Sequence, residues 1–281
     1  MKLKRSLKNT VKAGLCLSIL IYFFISCHFP FEPTYRQSEI ANQIEKICQE
    51  EYNLKVITKS SSNTLWIYAP LPRIIHRDFG IDKEKFLDEE MIDKLRNILI
   101  TIGRVFLSAD KPPEFYCLLA SDINIGIDYT LVGNTLDIKK SYAGFIPWPE
   151  SNRRYVIRIE LNPEAIADET GSHLKPYDIK LEEFLAQQIA QRIGMRFQEE
   201  ELKKYFQVER VSGNFSDDSF IFEYAIKKMK ESKFKIEDEI IKIINYVLNS
   251  YEFDRYLMVE IKDMLSGSKT VLSKARIKEI K

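Results

Sequence analysis

Three stretches place apolar residues at helical spacing. Ile40, Ile44, Ile47 and Cys48 predict a helix over about 38–51, with Ser38 as N-cap and Asn53 beyond its end. Met91, Ile92, Leu95, Ile98, Leu99, Ile102, Val105 and Phe106 predict a second over about 88–107. Its stripe is too broad for a surface helix, which places it at the centre of the fold, across a sheet. Leu181, Phe184, Leu185, Ile189 and Ile193 predict a third over about 179–193, stopped by Gly194. Its Gln187, Gln188 and Gln191 read as a solvated face.

Between these helices the period drops to two. Leu54–Lys59 and Thr64–Pro70 flank a polar Ser-Ser-Ser-Asn stretch and predict a hairpin. Glu114–Ser121 follows the break at Pro112-Pro113, and Ile125–Val132 follows it in turn. In Tyr155–Leu161 the expectation is Tyr155, Ile157, Ile159 and Leu161 inward, Arg158 and Glu160 outward. Residues 134–143 are ambiguous; Asn134 and Asp137 favour a short capped helix ended by Gly144.

The order α-β-β-α-β-β-(α)-β-α predicts an α+β fold. The expected form is a two-layer sandwich over 38–199, an antiparallel or mixed sheet with helices on one face. Beyond about residue 200 the strand signal fades. Asp217–Lys230, Ile236–Leu248 and Phe253–Leu265 read as charged helices, so 200–281 is expected to be a helical domain or extension. The last thirteen residues, with five basic and one acidic side chain, read as a solvated tail.

The N-terminus has a different grammar. Met1–Lys12 is basic, Ala13–Ile25 is apolar, and Ser26-Cys27 follows. A charged region, a short greasy region and a small residue before the processing point describe a secretory signal. Phe24-Ile25-Ser26-Cys27 resembles the lipobox of bacterial lipoproteins, although Phe24 stands where that motif usually has Leu. The resemblance implies removal of 1–26 and lipidation of Cys27, with 27–37 as lipidated residue and tether. It also implies a partner, the membrane, reached through the lipid. With Phe29 rather than Asp two places after Cys27, it implies a bacterial cell envelope location, on the outer membrane facing the periplasm. The alternative is an inner-membrane signal anchor, since Ala13 to Phe31 runs 19 residues without a formal charge.

This segment also changes the charge. Residues 1–27 hold five of the 42 basic residues and no acidic one, leaving 37 basic against 41 acidic. A mildly acidic remainder gives no electrostatic reason to expect nucleic acid. Of the other cysteines, Cys16 lies in the leader; Cys48 and Cys117 could pair in an oxidising compartment, but both sit in apolar patterns and read as buried free thiols.

Candidate chemistry is sparse. His76-Arg77-Asp78-Phe79-Gly80 overlaps two kinase tripeptides on one Asp, but Lys83 stands where that loop needs Asn. His28, His76 and His173 have no zinc-ligand spacing, so no metal is expected. Asp168, Ser172 and His173 are triad residue types crowded into one polar loop without a nucleophile elbow, and read as a turn. No cofactor fingerprint and no catalytic residue is found. The most suggestive stretch is Ala143–Arg154, where Phe145, Trp148, Arg153 and Arg154 have the composition of partner contacts. The bland reading of Phe145 and Trp148 is a lid folded onto the core. The sequence thus favours a non-catalytic binding or assembly module that meets an envelope protein. The alternative is an envelope hydrolase with an unrecognised carboxylate site.

Overall fold

The structure, a computed structural model, describes residues 32–76 and 87–279. Cys27, the lipobox, His28, and the kinase-like residues 77–80 lie outside the described residues.

The chain enters along Thr34 and Tyr35, which pair with Ser108 and Ala109. Helix α1 (Ile40–Tyr52) ends on left-handed Asn53, and a hairpin β1 (Ile57–Ser61) and β2 (Thr64–Leu71) follows. Helix α2 (Glu89–Leu107) is capped by Asp88, which accepts from Glu90 N and Met91 N. It carries the chain to β3 (Phe115–Asp122), parallel to β2. β4 (Ile127–Asn134) returns antiparallel and runs straight into α3 (Thr135–Tyr142), where Asn134 accepts from Leu136 N. After the short α4 (Trp148–Asn152), β5 (Val156–Leu161) closes a five-stranded sheet in the order β1-β2-β3-β4-β5. The elements of this part fall where the hydrophobic periodicity places them, including the short helix at Asn134, but β5 turns Ile157, Ile159 and Leu161 outward rather than inward.

The remainder departs from it. Helix α5 (Leu181–Gln198) leads into a long hairpin, β6 (Phe206–Ser216) and β7 (Ser219–Lys228). Helix α6 (Ile236–Ser250) crosses to β8 (Met258–Asp263), parallel to β7, and β9 (Lys269–Ser273) returns antiparallel. Helix α7 (Lys274–Glu279) follows at once. The helical extension is therefore corrected: of the three helices expected beyond residue 200, Ile236–Leu248 is one, but Asp217–Lys230 is mostly β7 and Phe253–Leu265 contains β8. The expected loose tail is β9 and α7, pinned by a buried Ile277.

The two halves share one plan. Helix, antiparallel hairpin, crossover helix, parallel strand, antiparallel return and short helix occur in α1 to α3 and again in α5 to α7. β5 is the one strand added to this plan.

The first sheet is buried on both faces. Leu65, Ile67 and Leu118 pack with α1 and α2, whereas Trp66, Phe115 and Cys117 face a second core. That core also takes Phe184, Ile189 and Ile193 of α5, Phe220 and Phe222 of β7, and Ile240 and Ile244 of α6. The second unit's helices thus cover the open face of the first unit's sheet. The α+β class stands, but the arrangement is two stacked helix-on-sheet units rather than one two-layer sandwich with helices on one face. Cys48 and Cys117 are free, buried, and in different cores.

Candidate functional site: a groove beside α2

One edge of the α2 stripe never reaches the sheet. Met91, Leu95, Ile98 and Ile102 are buried beneath the helix, but Ile92 and Ile100 stay 38% and 39% exposed. They form one wall of an open groove of about 480 Å³. The floor is Tyr116, Tyr129 and Leu131 of β3 and β4, and the far wall is Ile138, Tyr142 and Trp148 of α3 and α4.

Two glycines shape it. At Gly133 a side-chain carbon would overlap the Tyr116 ring, so its absence lets Tyr116 cross β4. At Gly103 such a carbon would sit 3.2 Å from the Tyr142 hydroxyl, so Tyr142 can lie against α2. Gly144 at φ +77° ends α3, and Pro147 starts α4, setting Trp148 outward.

The four expected contact residues separate. Phe145 and Trp148 are 79% and 72% exposed, so the lid reading fails for both, while their neighbour Ile146 is buried. Trp148 lines the groove. Arg153 is surface-exposed and pairs with Glu199 at 3.3 Å. Arg154 is buried, which removes it from the surface. Its guanidinium meets Asp137 at 2.7 Å and Glu150 at 3.2 Å, and stacks 5.0 Å from the Tyr251 ring. A buried ion pair needs this saturation of partners to offset desolvation. Gln188, expected in solvent, is buried beside it and donates to Arg154 O and Tyr251 Oη. Arg192 joins through Glu150 at 2.7 Å. A charged cleft of about 370 Å³ lies alongside, but its Arg196 is paired with Glu199 and Glu239, and Lys242 with Glu239. Each of its four cations is already paired with a carboxylate of the protein, so none is left uncommitted for a ligand.

The loop of Asp168, Ser172 and His173 is partly assembled. His173 Nδ1 lies 2.6 Å from Asp168, and its Nε2 faces Asp128 at 3.7 Å. Both ring and carboxylates are over nine-tenths buried, and Ser172 is exposed. Asp128 accepts from Ser121 and Asn162, and Tyr68 donates to Asp168 O at 2.5 Å. Burial opposes the Asp168 charge, yet donation from His173 and Thr170 holds its carboxyl well below the ordinary range. The cluster fastens a loop to the ends of β3 and β4.

Sequence reasoning missed the groove tyrosines and Ile100. The signal was present in the excess breadth of the α2 stripe, since Ile92 is exposed to the groove and Leu99, half-buried against the core, lines it too. Among the described residues no cluster of three or more metal-ligating side chains occurs, and no helix is long and apolar enough to cross a membrane. No family model matches the chain, and no curated protein and no solved structure matches it either.

Proposed function

We propose that this chain is a membrane-tethered, non-catalytic binding module of the bacterial envelope, and that the α2 groove receives the acyl chain of a lipid-like ligand. The observation that carries this reading is the open groove itself, about 480 Å³ and walled by aliphatic and tyrosine side chains. That volume is within the range of small-molecule sites, ~300–1,000 Å³. An apolar wall left open to water stays unfavourable until an apolar ligand covers it. Arg96 lines the groove and is held by an exposed Asp93, a pair of small worth, so an anionic head group can compete for it.

The tether supports the same reading. Tyr35 pairs beside the C-terminal end of α2, the helix that walls the groove. Seven residues lie between it and Cys27, eight steps of chain that span at most ~28 Å when extended. Lipid on Cys27 would hold the groove close to a bilayer, its source of acyl chains.

Trp148 reports on the site. The other tryptophan, Trp66, is 4% exposed and donates to Tyr177 O at 2.9 Å in the shared core. Titrating the membrane-held full chain with a bromine-labelled fatty acid should quench Trp148 saturably. Ile100→Glu should leave only the linear background of ligand dissolving in the membrane. Equal saturable quenching in both proteins, or none in either, removes the acyl-chain reading. The anchor is tested separately, by the mass of the N-terminal peptide with Cys27→Ser beside it.

A further inference from the structure

The added strand β5 has its faces reversed from expectation. Val156 is buried, while Ile157, Ile159 and Leu161 are 36%, 41% and 82% exposed. Glu160 is exposed on the opposite face and Arg158 half-buried beside it. β5 is also the outer strand of its sheet. An apolar, unpaired edge is a template for pairing unless it is blocked.

Part of the edge is blocked. The Gln191 side chain accepts from Ile157 N at 2.8 Å and donates to Tyr155 O at 3.0 Å, imitating one step of a neighbouring strand. These bonds show which peptide groups point away from β4: those of the odd-numbered residues, since direction alternates along a strand. The outward groups of Ile159 and Leu161 lie beyond the reach of that cap.

We propose that two copies of this chain join edge to edge through antiparallel β5 strands, with Ile159 opposite its own counterpart. This register is the one the sequence selects. It sets Ile157 against the partner's Leu161 and Ile159 against the partner's Ile159, covering the exposed apolar row. It sets Arg158 against the partner's Glu160 twice, by symmetry, so both charged pairs are of opposite sign. Among the described residues the buried Arg158 Nε has no hydrogen-bond partner, and the contact of the guanidinium Nη2 with Tyr177 Oη is long, 3.4 Å. Two reciprocal bonds between the Ile159 peptides form clear of Gln191, and the partner's Leu161 N reaches Ile157 O on each side, while the partner's Leu161 O takes the place of Gln191 Oε1 on Ile157 N. The contact is isologous and closes as a dimer. It joins two five-stranded sheets into one and is independent of what fills the groove.

The test is sedimentation of the full chain in density-matched mild detergent. The unaltered protein should be a dimer. Ile159→Lys should be monomeric, and so should Glu160→Arg, which sets Arg against Arg. Both substitutions are on exposed positions, and unchanged circular dichroism confirms the fold. Co-expressed Glu160→Arg and Arg158→Glu chains should recover a mixed dimer, because every pair is again of opposite sign. A monomeric unaltered protein overturns the proposal. So does a dimer that persists in Ile159→Lys, since that variant keeps the same N-terminal segment and loses the edge alone. Failure of the mixed pair to associate overturns the register.

Discussion

Four donors converge on Asp168. Thr170 N and Oγ1 reach Oδ1 at 2.9 and 2.8 Å, and His173 N and Nδ1 reach Oδ2 at 3.0 and 2.6 Å. All four favour the carboxylate, and they outweigh the burial that favours the acid. The folded carboxyl is thus more acidic than in the unfolded chain, where it titrates near ~3.9. The stabilisation is complete well above that value and is lost as pH falls through and below it, because the unfolded state takes up the proton first. Glu150, held by Arg192 and Arg154, and Glu239, held by Lys242 and Arg196, shift the same way against their own burial. The urea midpoint should therefore fall steeply between pH 5 and pH 2. Asp168→Asn should lower it at pH 7 and flatten that fall by up to about one proton's worth of slope. An acid limb as steep as that of the unaltered protein would show that Asp168 is not so held.

At the scale of elements, periodicity located most of the first unit because its strands and helices alternate over hydrophobic stretches of ordinary length. It failed on faces. Tyr155, Ile157, Ile159 and Leu161 do alternate, but a period of two says only that two faces differ. Val156 lies under α5, a contact remote in sequence, and this decides which face is inside. It failed also at β6 and β7. Their turn is Asp217-Asp218, both at positive φ (50° and 54°), without the glycine that usually marks a two-residue hairpin. Ile221 between Phe220 and Phe222, and Ala225 between Tyr224 and Ile226, blur the alternation. The groove was legible only as surplus width on α2, since its floor comes from strands and its far wall from α3 and α4. Gly133 connects these elements. Gly133→Ala should force Tyr116 off β4 and destabilise the chain by ~1–3 kcal/mol, the usual cost of overpacking. It should also weaken quenching of Trp148 by a brominated acyl chain. A loss of stability with quenching intact would mean that Tyr116 is not needed as the groove floor.

On the scale of the whole molecule, the repeated plan raises the question of whether either half folds alone. The sequence suggests a boundary near residue 200, but the structure runs its larger core across that point. Phe184 of α5 packs 5.3 Å from Phe115 of the first sheet, and Phe197 of the same helix packs 5.4 Å from Phe206 of the second. Helix α5 therefore belongs to both halves. Gly213 of β6 lies so close to Ala186 O that a side-chain carbon there would overlap it. The buried network does the same with polar groups: Asp137 of α3 takes a hydrogen bond from Tyr251, just beyond α6, while holding Arg154. A chain ended at residue 200 would expose Phe184, Ile189 and Phe197 and leave Asp137 with half its partners. Apolar surface on that scale has no compensating gain, because the hydrophobic contribution is roughly proportional to area buried. The full chain should unfold in one cooperative transition, with fluorescence and circular dichroism coincident. The truncated chain should retain helix, bind a hydrophobic dye, and melt without a sharp transition. If it instead unfolds cooperatively and ignores the dye, the second unit is an appendage, and the core drawn across both sheets is not what holds the first together.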